Sequence, residues 1–299
     1  GSLTRQVTNM LIPTAVYIVM AVSLNLVVGL LGELSLGHAG FMSVGLFSGC
    51  LVAIALTNTA LPLMVRLPVS MLAGGLTAAV FGLLVGLPTL RLRGDYLAIV
   101  TLACGEIIKN IITNLRVTGG ALGLNTTAIY AGAKELLPYG AALVLLTVAV
   151  MLNLKRSKYG RAIMAIRDNR IAAESVGLSV TRYKLAVFVI AAFFAGCAGV
   201  LYGHSLANIK AAAFDYNMSI EILVIVVLGG MGSVPGSVVS AIVLTVLPEA
   251  LREVADYRML VYAVVLILVM QATNNPAMKR FFGAACKSLT PKRKERAAL

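Results

Sequence analysis

The sequence predicts an all-α polytopic membrane protein with about nine transmembrane helices, and three observations carry that prediction. The first is composition: 59% of the 299 residues are hydrophobic and 12% are charged, against roughly a quarter charged in soluble domains. The second is a recurrence of apolar runs near 20 residues along most of the chain, each long enough to cross ~30 Å of hydrocarbon. The third is the bunching of basic residues. Of 25 Lys and Arg, eight fall within Lys155–Lys184 and seven after Met278. Such clusters mark the cytoplasmic face of a membrane protein, and anionic headgroups reinforce them. The net charge of +13 is therefore a topology signal, not one of nucleic-acid binding.

The runs lie at 11–31, 38–57, 65–88, 94–114, 138–153, 185–207, 214–230, 236–254 and 258–273. Four of them separate the basic loop from the basic tail, which puts both on the cytoplasmic side. Counting back five runs places Arg91 and Arg93 there too, and the observed N-terminus outside. No secretory signal with a cleavage site is recognisable. The expected organisation is one transmembrane domain over 1–299: a first half 1–154, a cytoplasmic loop 155–184, a second half 185–278 and a basic cytoplasmic tail 279–299. Runs one to four and six to nine then start on opposite sides of the membrane. That is the layout of an inverted repeat, which lines a substrate path between its halves, with the fifth run delivering the chain to the loop.

Along the chain, the first two runs meet at Gly29–Gly40, read as GLLGELSLGHAG, and the seventh and eighth at Gly229–Gly236, read as GGMGSVPG. Broken backbone near a membrane persists only where protein or water satisfies its polar groups. The two breaks are either tight turns or parts of an inner gate, with Gly32 and Gly232 as gate candidates. Asn25, His38 and Ser43 either line a polar path or bond a neighbouring helix. Small residues four apart at Gly45/Gly49, Gly82/Gly86 and Gly199/Gly203 point to close helix packing.

In the fourth run, Glu106 and Lys109 stand three apart, so they face and neutralise each other. An ionisable group inside a span is a functional candidate; the alternative is a structural pair with Lys109 reaching towards the outer end. Asp95 is expected to pair with Arg91 and Arg93. Thr118–Asn125 and the short apolar segment after it form an external or re-entrant element. Cys50, Cys104, Cys197 and Cys286 have no metal or CxxC spacing and read as free thiols.

The loop itself reads KRSKYGRAIMAIRDNRIAAESVGLSVTRYK. At 100° per residue, Ala162, Ala165, Ile166, Asn169, Ala172, Ala173 and Val176 share one face of a helix. Small residues there permit close approach of another surface. Ile163, Met164 and Ile171 are expected on an exposed face with Arg167, Asp168, Arg170 and Glu174, and Gly177 is the helix stop.

No phosphate loop of the form GxxxxGK[ST] occurs, nor any Ser/His/Asp, metal or thiolate constellation. An enzyme is therefore not expected, nor a cofactor or metal in this chain. Three classes remain: a permease driven by separate ATPases, an ion-coupled secondary transporter using Glu106, and a structural membrane subunit without a pathway. The long loop helix favours the first, because a secondary carrier has no need of it.

Three blocks carry a family resemblance. Tyr159–Ala162, Ala165–Asp168, Ala172–Ala173 and Val176–Gly177 look like the cytoplasmic coupling loop of ABC importer permeases of the branched-chain amino acid type. Arg91–Leu102 with Gly105–Ile107 resembles the LivM type in particular, and Val227–Ser233 fits the same family. The resemblance implies import of leucine, isoleucine and valine across a bacterial inner membrane. It implies a heterodimer with a homologous permease, two ATPases holding ATP and Mg, and an extracytoplasmic binding protein. It assigns Tyr159, Gly160, Arg161, Ala165, Arg167, Asp168, Ala172, Ala173 and Gly177 to the ATPase-facing element. Permeases for urea and short amides share much of this loop, so the substrate is inherited from the resemblance. The lead before the first run is short for the family, which leaves any additional family helices unaccounted for.

Overall fold

Apolar length sets the architecture. In the computed structural model, which describes residues 5–57, 62–89, 92 and 94–250, seven helical segments are long and apolar enough to cross a membrane. They belong to α1 (Arg5–Asn25, extended by a wider π-helical turn over Leu26–Leu31), α2 (His38–Thr57), α3 (Leu63–Thr89), α4 (Asp95–Asn114), α5 (Ala133–Arg156), α8 (Val180–His204) and α9 (Tyr216–Gly229, whose span begins with a 3-10 turn at Ala211). Two short helices, α6 (Lys158–Asp168) and α7 (Arg170–Ser175), make the basic loop, and α10 (Val234–Ala250) follows α9. The chain is a multi-pass, all-α membrane protein. Where nine spans were expected, seven qualify among the described residues. The eighth expected run begins within α10, whose apolar part is shorter. The ninth run, the basic tail, Arg91, Arg93 with their expected pairing to Asp95, and Cys286 lie outside the described residues. The described residues fall almost wholly in one unit, Gly1–Val246; the second, Leu247–Leu299, enters only at its first residues.

Glycine decides the closest packing. A methyl group on Gly45 would collide with Gly196 Cα, and one on Gly196 with Ala78 Cβ, the Gly74 carbonyl and Gly75 Cα. The backbones of α2, α3 and α8 thus cross with nothing between them, which is how helices gain dispersion energy where lipid removes the hydrophobic drive. Gly49, Gly82, Gly199 and Gly203 likewise meet neighbouring helices at van der Waals range or closer. Phe41 packs edge-on against Phe188 at 5.4 Å. The apolar window of α1 is 89% buried, against 28% for α4 and α5, so α1 is sheathed by the others. Leu72, Leu76 and Leu84 on α3 and Leu145 on α5 are exposed, as a surface meeting lipid or another subunit requires.

The chain between α1 and α2 doubles back. His38 Nε2 lies 2.8 Å from Ser23 Oγ, so α2 begins beside residues about 12 Å short of the end of the π-helical turn. After α4, the expected external element is three short 3-10 turns and a two-residue strand, β1 (Leu124–Asn125). It pairs antiparallel with β2 (Asn208–Ile209) beyond α8, and Gly119, Gly120 and Gly123 supply the positive φ that its turns need.

Replacing Gly196 by Val is expected to lower the thermal midpoint of the detergent-solubilised protein by the equivalent of about 1–3 kcal/mol. An unchanged midpoint would show that the three-helix crossing has room to spare.

Candidate functional site

The basic loop is a folded element rather than a solvated connection. α5 runs on to Arg156, beyond its apolar stretch, and Ser157 starts the next helix by accepting the Gly160 N–H on its Oγ at 3.2 Å. Gly160 is buried against the Leu154 and Lys155 carbonyls, where a Cβ would collide. The reversal requires glycine.

The single helix expected here is two. Asn169 takes an extended conformation (φ −153°, ψ 102°) and caps α7, accepting the Ala172 N–H at 3.1 Å. An Asn side chain competes with the helical backbone in this way wherever it can serve as a cap. The break resets the phase of the wheel. Ile163 is buried, contrary to the expected exposed face, and so are Ile166 and Ala173, which with Val180 form a small core under Leu178 and Tyr183. Arg161, Ala165, Arg167, Asp168 and Ala172 are exposed, Tyr159 is 53% exposed, and Ile171 and Val176 stand about four-fifths exposed. Gly160 and Ala173 therefore shape the element from within and present no surface. Gly177 ends it at φ +85°, a conformation open to glycine at no cost.

This element is tied to both glycine breaks. Arg167 donates from Nη1 to the Gly29 carbonyl at 3.1 Å, while Nε and Nη2 both lie 3.0 Å from Asp168 Oδ1. The carboxylate steers the guanidinium, whose stem packs on Gly32, itself at φ +79°. Lys155 donates from Nζ to the Gly232 carbonyl at 2.6 Å. Asn25, the last residue of α1, then clasps the second break. Its Oδ1 accepts the Gly232 N–H at 2.7 Å, and its Nδ2 donates to the Ser233 carbonyl at 3.1 Å and to Ser237 Oγ at 2.9 Å. A Cβ on Gly29 would collide with the Gly232 nitrogen and Asn25 Oδ1. The two breaks, some 200 residues apart in the chain, touch through glycine.

Of the expected pathway or gate residues, Asn25, Gly32 and Gly232 come together here, and Arg167 joins them. His38 and Ser43 are buried elsewhere, His38 on Ser23 and Ser43 donating to the Gly40 carbonyl at 2.8 Å. Glu106 is apart as well: one oxygen pairs with Lys109 and the other accepts the Tyr216 N–H at 3.0 Å.

Sequence reasoning missed Lys155, Ser233, Ser237 and a buried ion pair. Lys184 and Glu33 pair with side chains 6% and 13% exposed. The loop was expected to reach Lys184, but α8 starts at Val180 and takes Lys184 inside. A lone Glu in a Gly-rich stretch and a Lys four residues into a helix were the available signals; nothing in their spacing links them. Leu31–Glu33, Ile166–Ile171, Glu174 and Lys184 line an open cleft of about 410 Å³.

Lys184→Met is expected to cost about 3–5 kcal/mol, because it strands the Glu33 charge, and Glu33→Leu added to it to recover most of that loss. Thermal unfolding of the two variants checks this; equal midpoints would show that the charges do not depend on each other. Asn25→Ala is expected to cost about 1–3 kcal/mol through the unsatisfied Gly232 N–H, read in the same assay.

The family described as "Branched-chain amino acid transport system / permease component" matches residues 6–270. The chain is 36% identical to the high-affinity branched-chain amino acid transport system permease protein LivM of Salmonella typhimurium over 86% of its own length, and it spans 66% of that relative. It is 26% identical to the ribose import permease protein RbsC of Haemophilus influenzae, covering 92% of this chain and 86% of the relative. It is 31% identical to LivH, a second branched-chain amino acid permease protein of Salmonella typhimurium, covering 41% and 40%. No solved structure matches. The match along nearly the whole chain, on a bundle of membrane-spanning helices joined to a folded basic loop, places this protein in the branched-chain amino acid transport system permease family, a family of permeases and not of enzymes.

Proposed function

We propose that this chain supplies half of the translocation pathway of an ABC importer for branched-chain amino acids in a bacterial inner membrane. The basic loop and the C-terminal tail face the cytoplasm. The partners are a homologous permease, two ATPases that bind ATP and Mg, and an extracytoplasmic binding protein. LivM and LivH, two different relatives of this chain, support a heterodimer of permeases.

The observation that carries this reading is the double tie of the loop. A handle gripped by an ATPase transmits motion only if it is fixed to what must move. Arg167 fixes α6 to the Gly29 break, and Lys155, at the end of α5, fixes the Gly229–Gly236 break. Asn25 holds the two breaks to each other. A shift of α6 therefore pulls on the ends of α1 and α9 together, which is a gate moved from one side. The exposed Tyr159, Arg161, Ala165, Asp168 and Ala172, beside Ile171 and Val176, are the surface offered to the ATPase.

An inverted repeat is part of the same proposal. α1 and α8 are each followed by non-helical chain before a second helix begins, and those second helices meet where the Ala39 N–H donates to Ser219 Oγ at 3.2 Å. Helix starts brought together between repeats are the usual setting of a transporter's substrate path. An ion-coupled carrier using Glu106 is less well supported, since both carboxylate oxygens are engaged.

Uptake of labelled leucine, ribose and urea into vesicles holding the chain with its partner subunits is expected to show leucine entry that requires ATP and survives collapse of the proton gradient. Preference for ribose or urea would reassign the substrate, and loss of uptake with the gradient at constant ATP would restore the carrier. Arg167→Glu with Ala172→Asp is expected to abolish co-purification of the ATPases while leaving membrane insertion intact. Arg167→Ala alone is expected to leave ATP hydrolysis running and cut leucine uptake about tenfold or more, the effect of losing a charged hydrogen bond of about 1.5–3 kcal/mol.

A further inference from the structure

Glu106 stands about 16 Å and Lys109 about 21 Å along α4 from its start, both in the second half of a helix that ends at Asn114. Their side chains keep 27% and 19% exposure. They do not stand alone. The Glu106 carboxylate holds the first N–H of α9, at Tyr216, and the neighbouring Asp215 accepts the Met218 N–H and an Asn217 side-chain N–H at 2.7 Å. Asn110 and Asn217 are exposed on the same patch, and Tyr216 is 48% exposed. A lone charge facing hydrocarbon costs about 2.5–3.5 kcal/mol even on the most permissive scale. A patch with this many polar groups does not face lipid; it faces water, a solute or polar groups of the partner permease, and labelling by a water-soluble reagent separates the last from the others. Beside it on α4 and α9, Ile107 and Ile220 are 57% and 41% exposed, so the polar patch has apolar margins.

The Glu106–Lys109 pair is neutral overall, which disfavours a solute with net charge. A zwitterion fits it better. When a carboxylate approaches Lys109 and an ammonium approaches Glu106, one ion pair is exchanged for two and the site stays neutral throughout. Glu106 keeps its bond from the Tyr216 N–H during the exchange, which holds the carboxylate in place. The apolar margins suit an aliphatic side chain. We propose that this patch, where α4 meets the start of α9, is a contact site for the transported amino acid, with Lys109 receiving its carboxylate, Glu106 its ammonium and Ile107 and Ile220 its side chain. This deepens the branched-chain permease reading and rests on it.

The test uses the assembled transporter in proteoliposomes, with Cys50, Cys104, Cys197 and Cys286 replaced by Ala and a single cysteine placed at Asn110 or Asn217. Both cysteines are expected to react with a water-soluble, membrane-impermeant thiol reagent, whereas one at the exposed α5 position Leu145 is not. Leucine at about ten times its Kd is expected to slow the reaction about tenfold. Isocaproate, which lacks the ammonium, and isoamylamine, which lacks the carboxylate, are expected to give no such protection. Reaction without leucine protection, or no reaction at all, would overturn the contact site, and equal protection by the singly charged analogues would overturn the roles of Glu106 and Lys109. ATP-driven leucine uptake by the same vesicles reports on the permease reading separately. The reversed pair E106K/K109E, which keeps an ion pair but moves the acceptor from the Tyr216 N–H, is expected to lose leucine protection while retaining labelling at Asn110.

Discussion

Backbone amides that leave a helix near a membrane need partners from protein or water, and the clasp of Asn25 on Gly232 supplies them from within the fold. One side chain satisfies the Gly232 N–H, the Ser233 carbonyl and a serine hydroxyl. Lys155 takes the remaining Gly232 carbonyl. Without these partners the 229–236 segment would have to close into helix or open to solvent. With them, a broken stretch of backbone becomes a fixed joint between the first and last of the described spans.

That joint explains why the basic loop is folded. Its short helices bury little by themselves, a few aliphatic side chains around Ile166 and Ala173. They are held in place by charge-assisted bonds to carbonyls at the ends of spans. Arg167 suits this task because its planar fork serves Asp168 and the Gly29 carbonyl at once. The Glu33–Lys184 pair sits beside the same cleft and ties the chain after α1 to the start of α8. Such a pair is a poor source of net stability, but removing one partner leaves the other charge buried and uncompensated.

The rest of the bundle is arranged by size. Glycines at the crossing of α2, α3 and α8 let three backbones touch, while α4 and α5 keep long apolar faces turned outward. Polar residues divide along the same lines. Those on α1 and α2, such as Ser23, His38 and Ser43, are consumed by hydrogen bonds within the bundle. Glu106, Lys109, Asn110 and Asn217, on α4 and at the start of α9, keep part of their surface exposed, while Thr101 and Ser219 on the same helices are buried. The difference is position in the bundle, not residue type.

Much of this was legible in one dimension. The first seven apolar runs fall on described spans with ends within about five residues, because crossing hydrocarbon demands a set length of helix whatever its neighbours. The basic clusters marked the loop, and Gly177 marked its end, because a positive φ is a local property. Glycines four apart announced close packing without saying against what. The partners were not legible: Asn25 reads as any amide in a helix, and Ser233, 208 residues away, as any serine in a turn. The split at Asn169 was missed because helical periodicity continues across it, and only the cap geometry shows that the phase changes. The sequence by itself determined which stretches are apolar enough to prefer the membrane, that Gly177 stops a helix and which side chains carry charge, since those follow from transfer energies and local backbone preference. Only the tertiary structure decided that the two breaks share one clasp and that Arg167 and Lys155 hold it. Which donor meets which acceptor depends on helices packing in three dimensions, and separation along the chain carries no record of that.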